Sequence, residues 1–260
     1  MPICITGMHR SGTSMVANLL HLCGVYLGNE DDLMPASADN QKGYWENREF
    51  SRLNDEILAA LGGTWDIPPN ATPGWVEENR LNALRAKAEV LLEEFRDREP
   101  WGWKDPRNSL TLPFWDDLIK IRFLLGLTSN LKLVLCLRNP LEVFRSLRDR
   151  EYTPSSEGYK LWLIYSQSVL NASLPGNRII THYENYFRDP KAELHRVLDF
   201  LQVPASADVI EQSISAISTE LRHYQSDQSH GDTDAERDIF NLYQDLRQET
   251  NFTGPAGLQH

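Results

Sequence analysis

Short apolar runs alternate along this chain with longer stretches whose apolar residues recur every three or four positions. The short runs are typical of buried strands, and the longer stretches have the periodicity of amphipathic helices. Strands that alternate with helices predict an α/β fold, with three α/β/α layers around a central, mainly parallel sheet. The predicted strands are 3–6, 101–103, 131–137 and 177–183, and the predicted helices are 13–20, 50–61, 75–97, 113–126, 140–150, 159–172, 190–202, 206–219 and 235–247.

The chain shows no internal repeat and no linker with a shift in composition. We therefore predict a single domain over residues 1–260, because this length suits one large α/β domain. Residues from about 48 to 100 would form a helical insertion, and residues from about 190 to 250 would add C-terminal helices. The predicted loops that would shape a substrate pocket are 29–47, 62–75 and 151–158.

The first strand and the first helix are joined by a short loop that begins after Gly7 and ends at Gly12. A helix that begins at Thr13 would present unpaired N–H groups and the positive end of its dipole to this loop. Strand, glycine-bounded loop and helix together form a geometry that holds anions. The alternative is a tight turn without a ligand, but Arg10 and the hydroxyls of Ser11, Thr13 and Ser14 crowd this helix start.

The two loop glycines have the spacing of the nucleoside-triphosphate motif G-x-x-x-x-G-K-[ST]. Thr13 occupies the position of the lysine that reaches the β- and γ-phosphates in that motif. The cation of this loop is instead Arg10. We interpret the loop as a phosphate cradle adapted to a different anion.

The apolar run 131–137 is typical of a central parallel strand that is covered on both faces. The residues that follow it predict an immediate helix start. Asn139 is a favourable N-cap, Pro140 suits the first helical position, and Glu142 completes a capping-box arrangement.

A second anion site is predicted where this strand ends. In a nucleotide hydrolase a comparable strand ends in an aspartate that holds Mg²⁺, whereas here it ends in Arg138. Ser146 lies about two helical turns after Asn139, on the same side of the helix. Arg138 and Ser146 could bind one phosphate by charge-assisted hydrogen bonds. The alternative is a surface arginine and a serine inside a helix.

Composition limits the partners and the compartment. The net charge of −11 argues against general binding to nucleic acid or to anionic membranes, so a polyanionic ligand needs a local basic pocket. The three cysteines show neither disulfide nor metal-site spacing. The chain passes directly into its first strand and has no long apolar run, so we expect a soluble cytoplasmic protein without a membrane span. The sequence does not indicate an oligomeric state.

Several segments resemble sulfotransferases that use 3′-phosphoadenylyl sulfate (PAPS), and they occur in the order found in bacterial members. Residues 7–14 resemble the 5′-phosphosulfate loop, and Arg138-Asn139-Pro140 with Ser146 resembles the 3′-phosphate motif. The two motifs together, at this separation, are a specific signal. The other matching segments are Lys-Gly-Tyr-Trp-Glu at 42–46, Trp-Lys-Asp-Pro-Arg at 103–107, His-Tyr-Glu-Asn-Tyr at 182–186 and Arg-Asp-Pro at 188–190.

The resemblance implies a P-loop-like fold and transfer of a sulfuryl group to a hydroxyl or amine of a small-molecule acceptor, with PAPS as donor and no metal. The residues implied for the 5′-phosphosulfate are Arg10, Ser11, Gly12, Thr13 and Ser14, and those for the 3′-phosphate are Arg138 and Ser146. Arg10 and Lys104 would stabilise the charge that builds on the departing nucleotide.

A base must accept the acceptor's proton, and two carboxylates are candidates. Many cytosolic members use a histidine shortly after the lysine, but here Lys104 is followed by Asp105-Pro106. Other members use an early glutamate, and Glu46 fits this role because partial desolvation beside aromatic residues could raise its pKa. Glu46 could instead favour a helix N-terminus. Asp105 is the rival base, or else a structural partner of Arg107 or Lys104.

The sequence departs from cytosolic members at two places. Met15 stands where they have a tryptophan near the adenine, and their C-terminal Arg-Lys-Gly segment is missing, with Leu221-Arg222-His223-Tyr224 as a candidate replacement. Two other functions stay open: a P-loop kinase for a small molecule, and a nucleotide-binding scaffold without catalysis.

Overall fold

Four parallel strands form a sheet in the order β2-β1-β3-β4. The computed structural model describes residues 1–37, 43–151, 155–218 and 234–249. The strand positions agree with the prediction to within one or two residues. They are β1 (Pro2–Thr6), β2 (Trp101–Lys104), β3 (Lys132–Leu137) and β4 (Arg178–His182).

Alternate residues of each strand point into two apolar cores, one on each face of the sheet. Ile3 and Ile5 of β1 join one core, whereas Cys4 joins the other. The apolar residues of β3 divide in the same way, which explains why that strand is apolar nearly throughout. The predicted three-layer α/β/α fold is therefore confirmed. All three cysteines are buried and free.

Helices cover both faces of this sheet. Their bounds are α1 (Thr13–Leu22), α2 (Arg48–Ala60), α3 (Asn82–Glu94), α4 (Asn108–Leu124), α5 (Pro140–Glu151), α6 (Ser155–Ala172), α7 (Asn185–Arg188), α8 (Pro190–Leu201), α9 (Ala207–Ser215) and α10 (Asp234–Glu249). The helices α1, α8 and α9 pack on the face of Ile3 and Ile5, and α2 to α6 with α10 cover the other face. Among the helices that the structure describes, none is long and apolar enough to cross a membrane.

The start of α4 differs from the prediction. We expected this helix to begin at Pro113, but it begins at Asn108 and contains the proline. The preceding turn already has helical hydrogen bonding, because the N–H of Thr111 donates to the carbonyl oxygen of Arg107 at 3.1 Å. Pro113 removes one backbone donor from the helix without ending it. The early start brings Asn108 close to the end of β2.

Other helices also differ from the prediction. The segment predicted as helix from residue 75 first forms two 3₁₀ turns, Trp75–Glu77 and Asn79–Leu81, and the α-helix begins only at Asn82. Within the predicted loop 151–158, the described residues are helical, and acidic Glu157 favours the first turn of α6. Helix α7 has only four residues, too few for a periodic pattern to reveal it.

The strands all end at the same edge of the sheet, since they are parallel. The residues that follow β1 to β4 are Gly7, Asp105, Arg138 and Tyr183. In open α/β sheets ligands bind outside this carboxyl edge. The fold thus brings the sequence motifs of four distant segments to one place.

Candidate active site

The loop between β1 and α1 has the backbone of an anion cradle. Gly12 is the N-cap of α1 and lies in the left-handed region with φ of 85°, and Arg10 lies there with φ of 70°. A Cβ atom at Gly12 would overlap the ring of Tyr183, and one at Gly7 would overlap the carbonyl oxygen of Cys136. Both glycines are therefore required by close packing as well as by backbone conformation.

The hydroxyls at this helix start have different environments. Ser14 Oγ accepts a hydrogen bond from Lys104 at 3.1 Å. Thr13 is buried at the first position of α1. Ser11 is 1% exposed, and within the described part of the chain its Oγ has no hydrogen-bond partner. Buried hydroxyls are normally satisfied, so the Oγ of Ser11 could accept a hydrogen bond from, or donate one to, a water molecule or a ligand atom beside this loop.

The two predicted anion motifs meet directly, although 136 residues separate them. The Nε of Arg10 donates to Ser146 Oγ at 2.9 Å. The Nη1 of Arg138 donates to the main-chain oxygen of Arg10 at 3.2 Å. The structure therefore places Arg10, Arg138 and Ser146 next to one another.

The guanidinium of Arg138 is held by three different elements. Besides the carbonyl of Arg10, it contacts Glu142 of α5, whose Oε2 accepts from Nε at 2.9 Å. Its carbon lies 4.3 Å from the centre of the Tyr183 ring, in a cation–π arrangement. Arg138 and Glu142 are both buried. The arginine is thus positioned before any ligand binds.

The capping arrangement at the start of α5 differs from the prediction. The side chain of Asn139 caps the helix by accepting from the N–H of Leu141 at 2.9 Å. The N–H of Asn139, which a capping box would direct to Glu142, donates instead to Glu184 Oε1 at 2.9 Å. Glu184 Oε1 also accepts from the hydroxyl of Tyr243 in α10 at 3.1 Å. Glu142 pairs with Arg138 because both side chains lie on the buried side of the helix start.

On the other side of the loop, Lys104 ends β2 and is almost completely buried. Its ammonium donates to Ser14 Oγ, to the carbonyl oxygen of Tyr44 at 3.0 Å, and to Glu46 Oε1 at 2.7 Å. Three acceptors match the three donors of an ammonium group. The lysine is therefore fixed between the start of α1 and the segment that carries Glu46.

Glu46 immediately precedes Asn47, the N-cap of α2, and it is 7% exposed. Burial raises the pKa of its carboxyl group, which Lys104 opposes and the negative charge of Asp105 reinforces. The side chain of Glu46 pairs with Lys104, whereas Asn47 accepts from the first backbone N–H groups of α2. The position of Glu46 beside the N-cap matches the alternative of a carboxylate that favours the helix dipole, and the ion pair with Lys104 is an additional contact.

Asp105, the rival base, is fully buried and bound to its neighbour. Its Oδ1 accepts from the backbone N–H of Arg107 at 2.8 Å and from its Nε at 2.9 Å. Burial by itself would raise the pKa of Asp105, but the charge and hydrogen bonds of Arg107 hold it below the ordinary value. A second carboxylate, Asp55 of α2, pairs with Arg107 at 2.6 Å. These contacts match the structural alternative for Asp105.

His9 lies beside aromatic residues from two other segments. Its ring is 4.6 Å from that of Trp65 and 5.9 Å from that of Tyr165, measured between centroids. Trp65 belongs to the predicted loop 62–75, so this loop reaches the cradle. Tyr159 and Trp162 are buried in the core. Lys42, Tyr152 and residues 221–224 lie outside the described residues.

Three contacts at this site could not be predicted from the sequence. Tyr183 packs between Gly12 and Arg138, and Glu184 bonds the start of α5. Glu142 pairs with Arg138 and does not complete the predicted cap. Apart from the family segment, the only signal was that Tyr183 and Glu184 directly follow a strand that ends at the ligand-binding edge.

The sequence of this chain matches a family of known proteins. The sequence model of a family described as "Sulfotransferase family" matches residues 2–208, most of the chain. No curated protein sequence matches.

Three solved structures are also similar to this chain. The sulfotransferase domain from the Synechococcus PCC 7002 olefin synthase is similar over 100% of this chain and 90% of its own, with a TM-score of 0.51 and 17% identity. The sulfotransferase domain from the curacin biosynthetic pathway has a TM-score of 0.48 and 18% identity, over 91% and 83% of the two chains. Sulfotransferase STF9 from Mycobacterium avium has a TM-score of 0.47 and 15% identity, over 96% and 75%. The first similarity supports a P-loop-like α/β fold.

Proposed function

The chain belongs to the sulfotransferase family, and we propose that it transfers a sulfuryl group from PAPS to a hydroxyl or amine of a small-molecule acceptor. Family membership supports sulfotransfer. The donor, the acceptor class and the roles of individual residues are our proposal. The observation that carries it is the 2.9 Å contact between Arg10 and Ser146, because it joins two anion-binding motifs into one site.

The residues at the carboxyl edge of the sheet fit a nucleotide donor that carries one anionic group at its 5′ position and another at its 3′ position. Arg10, Ser11, Gly12, Thr13 and Ser14 would hold the 5′-phosphosulfate. The orphaned Oγ of Ser11 and the tightly packed glycine of the cradle support this assignment. Arg138 and Ser146 would hold the 3′-phosphate. When bound, the donor supplies the activated sulfuryl group.

Glu46 is our candidate for the base. A general base works best when its pKa lies near the working pH, and burial moves the pKa of Glu46 in that direction. The fully buried and paired Asp105 is less suited, because its pKa is lowered and its Oδ1 is engaged twice by Arg107. Glu46 would therefore accept the proton of the acceptor group.

The Lys104–Glu46 pair couples proton transfer to charge stabilisation. A proton that moves to Glu46 neutralises the carboxylate that balances the ammonium of Lys104. The lysine then carries an uncompensated positive charge when negative charge builds on the departing nucleotide. In a buried site this charge acts strongly, since little water screens it. Arg10 and the loop N–H groups would assist it.

The first experiment compares ligands by thermal shift. We expect adenosine 3′,5′-bisphosphate to raise the melting temperature without Mg²⁺, and Mg-ATP to have little effect. Stabilisation by Mg-ATP alone would instead support a kinase. Transfer of labelled sulfate from PAPS is then measured across a panel of phenols, alcohols and amines. Binding of the bisphosphate without transfer to any acceptor would favour a scaffold.

A further inference from the structure

An acidic residue lies inside the arginine site that we assign to the donor's 3′-phosphate. Glu142 is 1% exposed, and its Oε2 lies 2.9 Å from the Nε of Arg138. An anion-binding site normally excludes carboxylates, because like charges repel in a buried environment. Helix capping does not account for Glu142, since the N–H of Asn139 donates to Glu184.

The contact restricts how Arg138 can bind a phosphate. A guanidinium has five N–H donors in a rigid plane, and it binds phosphate best through two parallel hydrogen bonds. Glu142 accepts the hydrogen bond of Nε, and one flat face of the guanidinium lies over the ring of Tyr183. Nη1 has two N–H groups, and it also donates to the carbonyl oxygen of Arg10 at 3.2 Å. A phosphate that binds with two hydrogen bonds must therefore share the Nη1–Nη2 edge with this carbonyl or displace Glu142.

We propose that Glu142 is a positioning residue that retains its hydrogen bond with the Nε of Arg138 when the nucleotide binds. It thereby directs the 3′-phosphate to the Nη edge of the guanidinium, and its negative charge weakens nucleotide binding. This inference rests on the proposed function, because it concerns the 3′-phosphate of that donor. The hydrogen bond fixes the orientation of the guanidinium. The negative charge of Glu142 partly cancels the positive charge of Arg138 and repels the phosphate. Glu142 thereby favours release of the nucleotide product.

The variant Glu142→Gln separates the two effects. Glutamine keeps an oxygen that can accept from Nε, but it removes the negative charge. We expect it to bind adenosine 3′,5′-bisphosphate more tightly by a few-fold to about ten-fold in isothermal titration calorimetry. Adenosine 5′-monophosphate, which lacks the 3′-phosphate, serves as the matched ligand, and its affinity should change less than two-fold. A role in stability alone would not separate these two ligands.

Unchanged or weaker binding of the bisphosphate by Glu142→Gln, or equal tightening for both ligands, would overturn the inference. If the wild-type protein binds neither ligand, the donor assignment fails first, and this result is distinct from the other two. A crystal structure of the wild-type protein with the bisphosphate tests the inference even if the variant does not fold. We expect Glu142 to remain on Nε, and a guanidinium that has left Glu142 for the phosphate would contradict the proposal.

Discussion

The ammonium of Lys104 lies 2.7 Å from Glu46 Oε1, and the two side chains are 2% and 9% exposed. Such buried pairs contribute little net stability, because desolvation offsets their attraction, but the removal of one partner is costly. Their position between the anion cradle and the start of α2 therefore favours the proposed catalytic role over a role in folding stability. The pair joins the proposed base to the proposed electrostatic catalyst.

Removal of the Glu46 carboxylate tests the assignment of the base. We expect Glu46→Gln to lower kcat by about 10²–10⁴-fold, the usual contribution of a general base. The affinity for adenosine 3′,5′-bisphosphate should change little, because no anion-binding residue is altered. The matched control is Glu49→Gln, since Glu49 is exposed and pairs only with Arg52 among the residues described. A Glu46→Gln variant with wild-type kcat would show that the base lies elsewhere.

The raised pKa of Glu46 leads to a prediction for the pH profile. The base must be deprotonated, so kcat/KM should fall as the pH is lowered through the pKa of Glu46. Because burial raises this pKa, the acid limb should lie above the value of about 4.3 of an unperturbed glutamate. Initial rates from about pH 3.5 to 8 measure it. An acid limb at the unperturbed value would contradict the burial argument.

Asp105 should matter for stability. We expect Asp105→Asn to lower the free energy of unfolding by about 3–5 kcal/mol, because it removes the buried carboxylate partner of Arg107 and leaves this largely buried arginine with the exposed Asp55. Asp55→Asn is the matched control, because Asp55 pairs with Nη1 of the same arginine whereas Asp105 pairs with its Nε. Asp55 is 58% exposed, so its loss should cost about 1 kcal/mol or less. Urea unfolding measures both, and equal losses would contradict a special role for Asp105.

The same ion pair predicts how stability depends on pH. The pKa of Asp105 is lower in the folded protein than in the unfolded chain. Its contribution is therefore fully present above the unfolded value of about 3.9 and is lost as the pH falls through the lower folded value. Wild-type stability should decline more steeply in acid than that of Asp105→Asn. Parallel curves for the two proteins below about pH 4 would contradict this linkage.

Local patterns in the sequence were sufficient to predict the sheet and the cradle. Apolar runs predicted the four strands that the described residues form. The two glycines predicted the loop after β1, whose backbone is left-handed at Gly12. Parallel strands end at one edge, so the convergence of Arg10 and Arg138 also followed. These features depend on residues close together in sequence and on one topological rule.

Side-chain pairing could not be predicted, since it depends on contacts between distant segments. Glu142 had a reasonable local role as a cap, but Glu184 of another strand end supplies the acceptor for Asn139. The sequence offers Asp105 and Glu46 as candidate bases, but it does not show that Asp105 pairs with Arg107 and Glu46 with Lys104. The start of α4 at Asn108 was likewise not predicted, because proline favours the first turn of a helix and Pro113 therefore indicated a later start.

Ser11 should show opposite effects on stability and binding. Its buried Oγ has no partner among the described residues, and an unsatisfied buried hydroxyl costs about 1–3 kcal/mol. We therefore expect Ser11→Ala to raise the melting temperature of the ligand-free protein and to weaken binding of adenosine 3′,5′-bisphosphate. The control Ser109→Ala removes a buried hydroxyl that is bonded to Thr6 at 2.8 Å, so it should lower the melting temperature instead. Thermal unfolding with and without the bisphosphate measures both effects. A Ser11→Ala variant that loses stability and retains full affinity would show that this hydroxyl serves the fold, because a ligand-binding hydroxyl is satisfied only when the ligand is present.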